Sequence, residues 1–161
     1  MKTKSLKKVL FLLFLLFLFI CLIVFFFKRK ENLTISTCYA IFKMKIHDGS
    51  TANEGSYFLN LIFNGNNTHK FSLVMNGNLH QNGVNYNISR KYILNYEIQD
   101  EHFFSKVERI FIDPADQVGE KSGIHQIPKL NQTFVFKVVK LDSNRFLFLE
   151  NLAPIFICTS Q

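Results

Sequence analysis

Residues Val84–Ile98 read VNYNISRKYILNYEI, and this stretch decides the fold. Val84, Tyr86, Ile88, Arg90, Tyr92, Leu94, Tyr96 and Ile98 fall on one face. That is the period of two required of a half-buried strand. Arg90 is the odd member of the face. It marks a bulge or a strand end, or else it snorkels past the tyrosines to the rim.

Working outward toward the N-terminus, Asn82-Gly83 is a hairpin signal, because both residues tolerate positive φ. Before it, Phe71, Leu73 and Met75 form a strand that Asn76-Gly77 interrupts. Asn64-Gly65-Asn66-Asn67 is a second turn, preceded by the alternating Tyr57, Leu59, Leu61 and Phe63. His47-Asp48-Gly49-Ser50 reads as another turn. Ahead of it Cys38, Ala40, Phe42, Met44 and Ile46 share a face opposite Lys43, Lys45 and His47. Toward the C-terminus a strand is expected over Phe103–Ile112. Asp113-Pro114-Ala115-Asp116 then has the form of a helix start, with Asp113 as N-cap and Pro114 at the first helical position. Gly119, Ser122, Gly123 and Pro128 limit that helix to a turn or two. Phe134, Phe136 and Val138, a turn at Asp142-Ser143-Asn144, and Arg145–Leu149 make a further hairpin. Pro154 precedes a short apolar end, Ile155-Phe156-Ile157-Cys158. The expectation is a mainly β domain of about seven antiparallel strands with one short helix, arranged as a small β-sandwich or an open barrel.

Ahead of this domain lies Val9–Phe27, VLFLLFLLFLFICLIVFFF, nineteen residues with no charged or polar side chain. As a helix it would span roughly 28 Å, close to the ~30 Å hydrocarbon thickness of a bilayer. A soluble amphipathic helix would carry a polar stripe, and none is present. A cleaved signal peptide would have a shorter apolar region followed by small residues. Here Phe25-Phe26-Phe27 runs directly into Lys28-Arg29-Lys30, so the stretch reads as a single uncleaved transmembrane anchor. The organisation expected is a basic N-terminus over 1–8, the anchor over 9–27, a tether over 28–37 and a β-rich domain over 38–161.

The chain has a formal charge of +7 over 161 residues. Lys2, Lys4, Lys7, Lys8, Lys28, Arg29 and Lys30 supply seven of its nineteen basic residues, with no acid among the first thirty. Twelve basic residues then face twelve acidic ones in the remainder, which is neutral. The excess therefore sits where it would meet lipid head groups. A nucleic-acid-binding domain would carry it on itself, so no nucleic acid is expected as a partner. The basic flank slightly favours a cytoplasmic N-terminus.

Cys38 and Cys158 open and close the β-domain. A bond between them would close most of it into one loop, and would persist in an oxidising compartment. Two unrelated buried thiols are the alternative. Taken with the charge flanks, the pair favours a cytoplasmic N-terminus and an exported β-domain. No metal-ligand spacing is present, and no cofactor fingerprint or nucleophile motif occurs, so the chain is read as non-enzymatic. His102 beside Asp100 and Glu101 reads as an exposed polar turn, and Asp113 and Asp116 as charges at a helix start. The face of Tyr86, Tyr92 and Tyr96 reads as the inner surface of a sheet, with a ligand cleft as the rival reading. The N-x-S/T sequences at Asn32, Asn66, Asn87 and Asn131 keep open a eukaryotic type II membrane glycoprotein.

Cys38 at the head of the first strand, the tract Tyr86-Asn87-Ile88-Ser89-Arg90 and the ending Pro154-Ile155-Phe156-Ile157-Cys158 give a layout that resembles the FidL-like membrane proteins of enteric bacteria. The resemblance implies an accessory protein anchored in the inner membrane. Its periplasmic domain would contact a membrane-bound transcription regulator of the ToxR type, or another envelope protein. A module that closes its sheet around a lipid or small apolar molecule is the second expectation.

Overall fold

In the computed structural model, residues 12–22, 35–48, 51–63, 69–118 and 127–160 are described. They belong to two compact units, residues 1–34 and 35–161.

In the first unit, residues 12–22 form a helix. All are apolar, and its large side chains are 44–69% exposed. Among the described residues no helix is long and apolar enough to cross a membrane. The rest of the 9–27 stretch, with the seven flanking basic residues and Asn32, lies outside the described residues.

The second unit is built of eight strands: β1 (Thr37–Asp48), β2 (Thr51–Phe63), β3 (Lys70–Gln81), β4 (Val84–Gln99), β5 (His102–Ile112), β6 (Thr133–Lys140), β7 (Arg145–Glu150) and β8 (Ala153–Ser160). Each pairs antiparallel with the next, and β8 returns to β1 to close a barrel. The β-rich expectation holds, but the sheet is neither a sandwich nor an open barrel. Closure comes from the apolar C-terminal end, which runs on as a full strand and pairs Ser160 with Cys38 and Thr159 with Tyr39. Closing the sheet leaves no free edge along this seam, the usual weak point of an all-β domain.

Local sequence explains most of the strand ends. Asn82 (φ 52°) and Gly83 (φ 79°) form a two-residue turn between the paired Gln81 and Val84, as hairpin geometry requires. The same conformation recurs at Asp100-Glu101 and Asn151-Leu152, where no glycine is present. Asn76-Gly77, expected to interrupt β3, lies inside a continuous strand. A Cβ at Gly77 would sit 2.8 Å from the Tyr57 Cα, so glycine there permits close approach of β2 and is not a turn. The expected short helix after Asp113 is, over the described residues, a turn. Asp113 Oδ1 accepts from the Ala115 amide (2.9 Å) and the Asp113 carbonyl accepts from the Asp116 amide (2.9 Å). The chain then continues along β4, with Asp113 N–H donating to the Ser89 carbonyl and Gln117 N–H to that of Asn87. Sheet-like pairing has taken the backbone groups a helix would have used.

The interior is lined by the inward residues of every strand, including Cys38, Leu59, Leu79, Ile88, Leu94, Val107 and Phe148. Aromatic rings run through it in a continuous spiral. Starting at Tyr57 in β2, ring neighbours are Phe42, Phe156, Phe148, Phe136, Phe103, Tyr96, Phe71 and finally Phe63, again in β2. Centroid separations along it run from 4.6 Å between Phe148 and Phe156 to 6.4 Å between Phe42 and Phe156. Each strand gives one ring and β2 gives the two ends, so the spiral follows the stagger that barrel closure imposes on tilted strands.

Candidate ligand cavity

Eight strands enclose an interior just wide enough to be filled by side chains or to hold one small ligand. Here the interior retains a cavity of about 270 Å³. Its walls include Phe42 and Met44 from β1, Tyr57, Leu59 and Leu61 from β2, and Phe71, Leu73 and Met75 from β3. The opposite side contributes Tyr92, Leu94, Val107, Phe134, Phe136, Phe148 and Phe156, and among the described residues Glu150 is the one charged residue of the lining. This is just below the size range of ordinary small-molecule sites, roughly 300–1,000 Å³. It is nearly twice the ~150 Å³ apolar cavity that suffices for benzene.

Two phenols, Tyr57 and Tyr92, belong to this apolar lining. Tyr57 is 2% exposed and Tyr92 0%. Among the described residues neither hydroxyl has a hydrogen-bond partner, nor does the buried Ser105 Oγ. Leaving a buried hydroxyl unsatisfied costs about 1–3 kcal/mol. Burial pushes the Tyr57 phenol up to about 12. It raises that of Tyr92 further, against the partly offsetting pull of the nearby Arg90 guanidinium, which lies close without reaching full hydrogen-bond geometry. Both therefore remain protonated donors at neutral pH. The Tyr57 ring folds back over Gly55, where a Cβ would lie 2.6 Å from its Cε2. Glycine at 55 is what lets the phenol lie flat against the wall.

Arg90 is neither at a bulge nor at the rim. The register shift of β4 against β5 falls at Ile93/Leu94, and Arg90 is buried in mid-strand. Its Nε donates to Asp116 Oδ2 (2.8 Å) and its Nη2 to Asp116 Oδ1 (2.9 Å), with side chains 7% and 0% exposed. The same carboxylate accepts from the amides of Ser89 (3.1 Å) and Val118 (3.0 Å). The bond to Asp116 is the main reason the Arg90 pKa is raised. Asp116, read from sequence as a helix-start charge, is thus the buried counter-ion that pins the 113–118 segment to β4. An inward arginine in a strand signals that a partner is needed. Nothing in the sequence says that the partner stands 26 residues away.

The Cys38–Cys158 pair forms the expected disulfide, with Cα atoms 5.5 Å apart. It lies beside the two β1–β8 register pairs and is a structural tie outside the cavity lining. His102, Asp100 and Glu101 form the β4–β5 turn. His102 Nδ1 lies 2.9 Å from the Asp100 carbonyl, and Glu101 accepts from Lys137 at 2.7 Å, a bond that lowers the pKa of this exposed carboxyl. The three stay apart from the cavity. Of the tyrosine face, Tyr92 reaches the cavity and Tyr96 joins the aromatic spiral, while Tyr86 lies near the start of β4. Asn87 donates through Nδ2 to the Ala115 carbonyl (3.0 Å), and Asn131 occupies a turn at φ 64°. Asn66 lies outside the described residues.

No protein-family model matches this chain, and no curated protein matches it.

Proposed function

We propose that this chain is a membrane-anchored binding protein whose barrel holds one small, largely apolar molecule. The apolar cavity inside a closed eight-stranded barrel is the observation that carries the reading. A barrel with no ligand to hold can fill its centre with side chains. This one keeps space bordered by ten aromatic or methionine residues. The anchor is the 9–27 stretch, of which the exposed apolar helix over 12–22 is the described part. Its basic flanks lean toward a cytoplasmic N-terminus, four before the stretch against three after it, and the barrel then lies in the periplasm. The disulfide fits that oxidising compartment.

Solvent extraction of the purified full-length chain, followed by mass spectrometry, tests the reading. The expected result is a stoichiometric apolar compound that is absent from Leu73→Trp, in which an indole occupies the space, while both proteins keep the same far-UV circular dichroism. Identical extracts from the two proteins would refute it.

A second reading is favoured by a separate feature. Ile41 (68% exposed), Phe58 and Ile157 stand on the outer face of the adjacent strands β1, β2 and β8, with Ile41 and Phe58 paired across β1 and β2. Exposed apolar side chains grouped on one wall suit a protein contact. The FidL-like resemblance names a membrane-bound regulator as its partner. Two proteins tethered to one membrane need only a weak interface, because tethering raises their effective concentration. Crosslinking of a co-expressed regulator, lost in the Ile41→Lys/Phe58→Lys variant, is expected. Undiminished crosslinking in that variant would count against the contact.

A further inference from the structure

Toward the ends of β6, β7 and β8 the cavity wall gives way to solvent. Phe134 and Ile155 are half-buried there and Glu150 is exposed, whereas Tyr57, Leu61 and Tyr92 across the barrel are buried. Glu150 continues the inward alternation of Phe146 and Phe148 along β7, so a carboxylate stands at the opening of an otherwise apolar space. Among the described residues no ion pair or hydrogen bond engages it, and none brings a cation into the lining. Deeper in, no described side chain of the lining offers a strong hydrogen-bonding group. The hydroxyls of Tyr57 and Tyr92 are sealed off, and the remaining side chains are hydrocarbon or thioether. A polar group carried inside would lose its water and gain nothing in return. The enclosed part of an occupant is therefore hydrocarbon. In proportion to the ~150 Å³ that holds benzene, the cavity of about 270 Å³ takes roughly ten carbon atoms. Any polar end stays at the opening, where the local charge is negative. A carboxylate or phosphate head is repelled there and an ammonium attracted.

We propose that the occupant is an amine on a compact hydrocarbon body, with the body inside the cavity and the ammonium beside Glu150. This rests on the cavity reading above and adds which end of the molecule faces out and with what charge. An exposed ion pair is weak, so Glu150 selects among ligands while the apolar wall holds them.

The test uses the full-length protein in phosphatidylcholine nanodiscs, with empty nanodiscs as blank. Three probes share one fluorophenyl body and differ in the head: 2-(4-fluorophenyl)ethylamine, 2-(4-fluorophenyl)ethanol and 3-(4-fluorophenyl)propanoate. Binding is read at neutral pH and low salt as a saturable ¹⁹F NMR shift. Wild type is expected to bind the amine roughly two- to fivefold more tightly than the alcohol, and the acid more weakly than both. Glu150→Gln should bring the amine-to-alcohol ratio to about one, and Glu150→Lys should reverse the order of amine and acid. Glu101→Gln removes a charge apart from the cavity and should keep the wild-type ratio. Sodium chloride at about 1 M screens an exposed pair and should lower the ratio in wild type without any variant. Equal binding of amine and alcohol by wild type, a ratio that survives Glu150→Gln or high salt, or one that Glu101→Gln abolishes would overturn the inference and leave the cavity reading standing. Failure of all three probes to bind above the blank would instead overturn the cavity reading itself.

Discussion

Replacing Asp116 by Asn tests the buried Arg90–Asp116 pair directly. The substitution keeps size and shape but removes the charge. It also puts an NH₂ where one carboxylate oxygen now accepts. If the amide nitrogen takes the Oδ2 site, it faces two donors, Arg90 Nε and the Ser89 amide. If it takes the Oδ1 site, it faces Arg90 Nη2 and the Val118 amide. Neither orientation relieves the conflict. Arg90 then stays charged and buried with its counter-ion gone, which costs about 3–5 kcal/mol. A domain of this size has a total stability of order 5–15 kcal/mol. With a urea m-value near 2 kcal/mol/M, the midpoint should fall by roughly 2 M. Far-UV circular dichroism against urea on the full-length protein, disulfide intact, measures this. The companion Arg90→Met/Asp116→Leu variant should recover the charge-burial part of that loss, because an apolar pair of similar volume carries no ionic desolvation penalty, and keep a deficit from the Ser89 and Val118 amides that lose their acceptor. A loss below 1 kcal/mol for Asp116→Asn, or a double variant as unstable as the single one, would refute the account.

Alkaline pH should weaken the fold. Tyr57 titrates near 10 when unfolded and about 12 when folded, so its contribution is complete below pH 10 and is lost as pH rises toward 12. The slope from this phenol alone is about 1.4 kcal/mol per pH unit, steepened by Tyr92. Phenolate absorbance should show two of the five tyrosines ionising only as the barrel unfolds; early ionisation of all five would contradict the burial argument. Removing the disulfide as Cys38→Ser/Cys158→Ser opens a loop of 120 residues. It should cost about 5 kcal/mol on the chain-entropy account, read as a urea midpoint that reductant lowers in wild type alone. Leu152, 84% exposed at φ 67°, holds a conformation suited to glycine. Leu152→Gly should therefore raise stability by up to about 1 kcal/mol, and an unchanged or lowered melting temperature would show that the turn is unstrained.

Much of the barrel is legible in the alternation of single strands. Val84–Ile98 buries the centre of its predicted face, Ile88 through Leu94, and leaves both ends more open. Cys38–Met44 and Tyr57–Phe63 also place their inward residues as expected. Turns are legible where glycine or an Asp-Ser-Asn run marks them, as at Asn82-Gly83 and Asp142-Ser143-Asn144. Asn82-Gly83 is a true hairpin, but Asp100-Glu101 and Asn151-Leu152 take the same path because the flanking strands impose it. The same limit misplaces Asn76-Gly77, where the glycine answers to Ser56 and Tyr57 on the neighbouring strand. Closure is not local either. It depends on β8 reaching β1 across 120 residues, and a period-two pattern is identical in a sandwich, an open sheet and a closed barrel. The cavity is hidden for a related reason. Phe42, Leu73 and Phe156 are ordinary core residues in sequence, and only the radius of the closed wall decides whether they meet in the middle.

The seam between the first and last strands has a mechanical consequence. Any tension entering the barrel at Ile35 reaches Cys38 three residues later and is passed through sulfur to Cys158, two residues before the end of β8. Hydrogen-bonded strands are easily unzipped one rung at a time when pulled from an end, but this path carries the load around the rungs.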